Sequence, residues 1–231
     1  MSNDRYRRWD DADAVERFAA KTAGDFFRTE THFLADAARD LESVLDIGCA
    51  SGRFVELLAA LGVHPAYTGI DISPEQIASA RRLYPDADFH LGNALELAIA
   101  GPFDLVNATG VMQHEPRFAE LIARMVDWSR RYVLFDVKLS DLEEDIVDIT
   151  RSHAGTPEHP LFFNILSARR LIERLRALPG IARFALYGYE TPPNASTTIP
   201  AEVTRLVSAG VFLELGQGPA TVTTELPEGL A

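Results

Sequence analysis

The chain has 231 residues, 47% apolar and 24% charged, ordinary globular usage that excludes a collagen, a coiled coil and wholesale disorder. Its 22 Lys+Arg stand against 34 Asp+Glu, a net charge of −12. A surface of that sign repels phosphate backbones, so no nucleic-acid partner is expected without a local basic patch. The one cysteine, Cys49, excludes an intrachain disulfide framework, and no apolar run approaches the about 18 residues of a membrane span.

In chain order, Asp13 to Leu41 carries apolar residues at helical spacing (Val15, Phe18, Phe26, Phe33 among them) and reads as an N-terminal helical cap over residues 1–42. From Val44 to Val137 short apolar runs alternate with helical patterns. Val44–Ile47 precedes a helix over 53–61, Tyr67–Ile70 one over 74–83, and Asp88–Leu91 a short helical stretch over 94–100. Phe103–Val106 precedes a helix over 117–129, and Tyr132–Asp136 closes the series. Such alternation implies right-handed crossovers and a parallel sheet covered on both faces, an α/β doubly wound domain.

One helix start carries its own mechanism. Ser73-Pro74-Glu75-Gln76 sets a capping hydroxyl, a proline at the first helical position and a Gln able to reach back to the cap amide. Beyond Val137 the chain turns acidic and irregular, an insert over about 139–165. Ser167 caps a helix over 168–178, and two strand-like runs, 182–189 and about 204–215, make an antiparallel pair. Residues 217–231 read as a mobile tail, leaving 43–216 as the core.

The chemistry lies where strands end. Asp46-Ile-Gly48-Cys-Ala50-Ser-Gly52 runs from the first strand straight into a helix. Its glycines let backbone approach a ligand, and helix-initial amides favour a carboxylate. Asp71 ends the second strand about twenty residues later, the distance at which an acid accepts bonds from ribose hydroxyls. A nicotinamide or flavin enzyme needs Gly-x-Gly-x-x-Gly, and the Gly48-x-x-x-Gly52 spacing does not meet it.

The string instead resembles the first motif of class I, seven-strand S-adenosylmethionine-dependent methyltransferases, with Ala50 where the family more often has glycine. The alanine is compatible with that role if its φ is negative. The resemblance covers about Asp40 to Val137. It implies a seven-strand, mostly parallel sheet with an antiparallel C-terminal strand, and S-adenosylmethionine as cofactor. Asp46, Gly48, Ala50 and Gly52 would hold its methionine end, Asp71 and Ile72 the ribose and adenine. Asn93 and Ala94 would complete the adenine pocket, and Thr109, in Asn107-Ala-Thr-Gly110, would lie near the transferred methyl.

The acceptor is less legible. His114 follows the fourth strand and is the candidate general base; His153 and His159 read as loop histidines. Asn107-Ala-Thr-Gly lacks the prolines of adenine-amino methylating enzymes, and Cys49 lies in the turn rather than after the fourth strand. With the charge, this favours a small-molecule acceptor of an O-, N- or C-methyltransferase in the cytoplasm, with no metal. The aromatic lead-in (Tyr6, Trp9, Phe18, Phe26, Phe27) suits a lid or a packed helix. A non-catalytic scaffold subunit and a protein methyltransferase stay open as alternatives.

Overall fold

The computed structural model describes residues 9–26, 28–156 and 158–230; Tyr6 and Phe27 lie outside the described residues. Strands β1 (Ser43–Ile47), β2 (Ala66–Asp71), β3 (Asp88–Leu91), β4 (Phe103–Ala108) and β5 (Ser129–Ser140) are parallel neighbours in the order β3-β2-β1-β4-β5. β11 (Val207–Leu215) then pairs antiparallel with β5 and with β9 (Ile181–Glu190), the antiparallel pair the turn-rich linker implies. These seven strands form the expected sheet with its one reversed strand. Two further strands extend it: β8 (Leu166–Ser167) pairs with β5, and β12 (Thr221–Glu225) pairs parallel with β9.

Helices cover both faces. α2 (Arg28–Ala37), α3 (Phe54–Ala60) and α4 (Pro74–Leu83) lie on one side, and their Leu34, Leu57, Leu58 and Ile77 bury against Val44, Leu105, Leu134 and Phe212. α5 (Phe118–Trp128) and α6 (Ala168–Ala177) lie on the other, over Leu45, Val106, Val133 and Phe135. Each large side chain so buried contributes about 1.5–3 kcal/mol. Phe212 is sandwiched between Phe33 at 5.4 Å and Tyr132 at 5.2 Å, and stacking of this kind adds about 0.5–1.5 kcal/mol per pair. Gly210 lets α2 come this close, since a Cβ there would sit 2.6 Å from Thr29 Cβ.

Several elements differ from the sequence reading, each for a tertiary reason. The N-terminal lead-in divides into α1 (Ala12–Ala19) and α2, bending at the Thr22–Asp25 capping box, where Thr22 N and Oγ1 both donate to Asp25. Residues 94–96 form a single turn rather than a helix; Asn93 Oδ1 caps it by accepting from Leu95 N, and Gly101-Pro102 follows closely. The acidic insert holds a hairpin, β6 (His153–Thr156) with β7 (His159–Phe162), and β10 (Thr197–Thr198) adds to it. The segment expected to be mobile after Gly216 supplies β12, held by the open edge of β9. Ser73 caps α4, its Oγ accepting from Gln76 N at 3.1 Å. The Gln76 side chain does not reach back; it donates to Trp9 O and accepts from Ser51 Oγ.

Candidate active site

The carboxyl ends of β1, β2 and β4 open on one cavity of about 340 Å³, within the about 300–1,000 Å³ usual for small-molecule sites. Asp46, Gly48, Ala50, Asp71, Ile72, Asn93, Ala94, Thr109 and His114 all line it. Gly52 does not: a Cβ there would lie 3.0 Å from Phe89 and 3.1 Å from Tyr84, so its smallness serves packing under the turn. Gly48 has φ +71°, and a Cβ there would run into Val111 Cγ2, leaving its backbone bare toward the cavity.

Ala50 departs from the condition set for it. Its φ is +46°, the single positive value among the described non-glycine residues, and the left-handed region costs an L-residue about 1–2 kcal/mol. The turn holds it there: Gly48 N and Cys49 N both donate to Ile70 O, and Ala50 N donates to Asp71 Oδ2 at 2.8 Å.

Asp71 Oδ1 meanwhile accepts from Ser73 N at 2.8 Å. The carboxylate thus ties the first turn to the start of α4, and its four lone pairs leave acceptor capacity for a ligand. Burial, more than any neighbour, raises its pKa.

Asp46 anchors a second set of bonds. Tyr67 OH donates to Oδ2 at 2.5 Å and Asn107 Nδ2 to Oδ1 at 2.7 Å. Burial pushes Asp46 up to about 6 despite both bonds, and the Asp71 charge adds to the rise. Asn107 also reaches Thr109 Oγ1 at 3.2 Å, and Thr109 donates on to Glu30 Oε1 at 2.6 Å. Glu30 is buried and arrives from α2. Nothing in the sequence marked it, since an acid in a helical first turn is ordinary dipole chemistry. Asn107 had a signal: it is a polar residue in a strand with every position buried.

His114 sits at the far wall. Its Nδ1 lies 2.7 Å from Phe162 O, and a carbonyl only accepts, so Nδ1 carries the hydrogen and Nε2 is the basic nitrogen of the neutral ring. Trp9 tilts over it, ring centroids 5.8 Å apart, and packs edge-on to Phe18 at 6.1 Å. Trp9, Phe18 and Phe26 all line the cavity, so the aromatic lead-in covers the site. Ser73 Oγ secures the cover by donating to Asp10 Oδ1 at 2.6 Å. His153 and His159 lie in the small sheet and do not line the cavity. Among the described residues, no helix is long and apolar enough to cross a membrane.

Residues 44–132, which carry both strand-end acids and the glycine turn, match the family model for a methyltransferase domain. This segment is similar to that family. Trans-aconitate 2-methyltransferase of Methylobacterium nodulans is 35% identical over 115 residues, 49% of this chain and 45% of that one. The ubiquinone biosynthesis O-methyltransferase of Aromatoleum aromaticum is 40% identical over 86 residues, 35% of this chain and 36% of that one. The chain thus spans less than half the length of these curated relatives. The methyltransferase domain and its flanks have the class I, Rossmann-like fold. The N-terminal domain of EvdMO1, solved with S-adenosylhomocysteine bound, superposes with a TM-score of 0.59 at 14% identity. That superposition covers 94% of this chain and 98% of that one. The N-methyltransferase NodS of Bradyrhizobium japonicum, also with S-adenosylhomocysteine, gives 0.52 at 16%, covering 89% and 98%.

Proposed function

We propose that the chain transfers a methyl group from S-adenosylmethionine to an oxygen, nitrogen or carbon atom of a small molecule, working in the cytoplasm. The observation that carries this reading is the convergence of two buried carboxylates, Asp46 and Asp71, on one cavity walled by the Gly48–Ala50 backbone. The names of the relatives, which act on trans-aconitate or in ubiquinone biosynthesis, support a small acceptor. So does a cover of three aromatic rings over a cavity of about 340 Å³.

The residues present fit that cofactor. Asp46 offers negative charge to its cationic methionine end, and Asp71 offers the lone pairs left after its two amide bonds to the ribose. Ile72 and Ala94 give the adenine apolar walls, and Asn93 gives it an amide. Its Oδ1 already holds Leu95 N but has a second lone pair. Asn107 Oδ1 and Gln113 Oε1 are buried acceptors without a hydrogen-bond partner among the described residues, suited to an ammonium or a water beside it.

S-adenosylmethionine supplies a methyl group already activated on a sulfonium. The chain's own residues align the acceptor with the carbon–sulfur bond and exclude water, and positioning of this kind lowers a barrier by about 7–11 kcal/mol. The Thr109–Glu30 pair borders the position assigned to that methyl. His114 Nε2 takes the proton when the acceptor atom carries one; a carboxylate oxygen needs no base.

Thermal unfolding with S-adenosylhomocysteine, and separately with NAD, tests the reading. A ligand at 100 times its Kd adds about 2.7 kcal/mol, several degrees for a domain of this size. Stabilisation by S-adenosylhomocysteine alone is expected. Stabilisation by NAD alone overturns the reading in favour of a nicotinamide enzyme, and stabilisation by neither overturns it in favour of a scaffold role.

A further inference from the structure

The methyl-transfer reading leaves one charged group without a task. Ser208 on β11 pairs with Lys138 on β5 and with Tyr189 on β9. Residues directly opposite in a ladder share a face, so these three side chains form a row on the α2 side of the sheet. The preceding row on that face is Asp136, Gly210 and Tyr187. We propose that the Lys138–Ser208–Tyr189 row, with Arg28 beside it, is a carboxylate-binding subsite, and that the methyl acceptor is a small carboxylic acid anion. This rests on the methyl-transfer reading and adds the acceptor's class.

The charges make the first argument. Lys138 Nζ donates to Ser208 Oγ at 2.6 Å. Among the described residues no carboxylate lies within 4 Å of it. An ammonium has three donors and no acceptor, so hydrogen-bonding capacity is left over on Lys138; Ser208 Oγ also bonds Thr191 Oγ1 at 2.9 Å. The Arg28 guanidinium stands 5.3 Å from the centre of the Tyr189 ring, likewise with no carboxylate in reach. Four arginines elsewhere on this acidic chain do have a carboxylate partner: Arg169 has Glu143, Arg170 has Glu144, Arg174 has Asp145 and Arg130 has Asp104. Burial holds the Lys138 ammonium below its ordinary pKa, with Asp136 opposing. A half-buried cation gains most from an anion that arrives with its own hydrogen-bond acceptors.

Position makes the second. Ligands in open α/β sheets bind at the carboxyl ends of the strands, and Lys138 lies near that end of β5. Two residues earlier, Asp136 Oδ1 accepts from Gly110 N at 2.6 Å, and Gly110 lines the cofactor cavity. Two residues of strand span about 6.8 Å. A carboxylate on Lys138 therefore leaves the rest of a small acceptor pointing toward His114 and Thr109. The Tyr187 and Tyr189 ring centroids lie 6.5 Å apart, and Tyr187 stacks on His32 at 4.1 Å. When the acceptor atom is a second carboxylate oxygen, it forms the bond to the methyl carbon as the carbon–sulfur bond breaks. That electron pair goes to sulfur and no proton moves. For a hydroxyl, the proton passes to His114 Nε2.

The test uses the full chain, mass detection of methylated product, and a panel of trans-aconitate, malonate, 4-hydroxybenzoate and octanoate, each beside its primary amide. Methylation confined to the acids is expected. Lys138→Met should then raise KM for the accepted acid at least tenfold while kcat changes less than threefold, with S-adenosylhomocysteine affinity unchanged. Arg28→Gln should raise KM in the same direction by a smaller factor. An amide methylated as well as its acid, or a well-folded Lys138→Met with unaltered KM, overturns the subsite. So does a chain that binds S-adenosylhomocysteine yet methylates no acid in the panel. Failure to bind S-adenosylhomocysteine at all instead removes the methyl-transfer reading beneath it.

Discussion

The side-chain amide of Asn107 donates to the Asp46 carboxylate at 2.7 Å, joining the carboxyl end of β4 to that of its neighbour β1. The bond orients the acid that faces the cavity, and it joins residues 61 positions apart in sequence. Because Asp46 is buried with only this amide, the Tyr67 hydroxyl and distant charge to support it, its pKa of about 6 lies above the ordinary 3.8.

A pH dependence follows. A carboxylate raised on folding contributes stability that is fully present below its unfolded value and is lost as pH rises through its folded one. Ligand-free protein should therefore lose an Asp46 contribution between about pH 4 and pH 6, and Asp46→Asn should lack that slope. Urea melts of both proteins at pH 5.2 and 7.5 measure it. Wild type should lose stability relative to the variant at the higher pH, and an equal change in both would refute the assignment. Affinity for the cationic S-adenosylmethionine should fall as pH drops below about 6, where Asp46 is neutral.

Ala50→Gly should stabilise the protein. Glycine relieves the left-handed strain of about 1–2 kcal/mol, offset by about 0.4–1 kcal/mol of added freedom in the unfolded chain. A net gain of about 1 kcal/mol is expected, read as a rise of a few degrees in Tm, with S-adenosylhomocysteine affinity unchanged or tighter. A fall in Tm would show that the Ala50 methyl makes a contact worth more than the strain.

Asp71→Ala should weaken S-adenosylhomocysteine binding more than tenfold. It removes the ribose acceptor together with the clasp on Ala50 N and Ser73 N, and buried amides left unpaired cost about 1–3 kcal/mol each. Titration calorimetry gives the affinity; a Kd within a factor of three of wild type would sink the site assignment.

Gly210→Ala should loosen the cover. The added methyl meets Thr29 Cβ at 2.6 Å and Phe33 at 3.1 Å, so α2 must shift and carry Glu30 away from Thr109. Faster proteolysis within residues 9–37, with the sheet core intact, is the expected outcome. Uniform cleavage along the chain would argue against a separable cover.

Trp9 offers a direct reporter. The chain has two tryptophans, and Trp128 lies in the α5 core, away from the cavity. In Trp128→Phe the remaining emission belongs to Trp9, which should shift or quench on titration with S-adenosylhomocysteine. Binding seen by calorimetry with a silent Trp9 would mean that the aromatic cover stays out of the bound site.

By itself the sequence determined the parts whose causes are local. The alternation of apolar runs with helical periods fixes right-handed crossovers and a parallel sheet covered on both faces; the β3-β2-β1-β4-β5 order came from the tertiary structure. Ser73 and Ser167 cap their helices through hydroxyls three residues from the amides they serve. Asp46, Gly48 and Asp71 were legible because a strand end, a turn and a strand end recur at set distances along one chain. Tertiary structure alone decided the rest. Glu30 reaches Thr109 across 79 residues only because Gly210 admits α2. Ala50 takes positive φ only because Asp71 and Ile70 hold the turn from a neighbouring strand, and β12 is ordered only because β9 leaves an edge unpaired. Lys138 is an ordinary strand lysine until β11 and β9 set Ser208 and Tyr189 level with it. These outcomes depend on which strands lie side by side, and no local pattern encodes what a distant backbone brings within hydrogen-bond range.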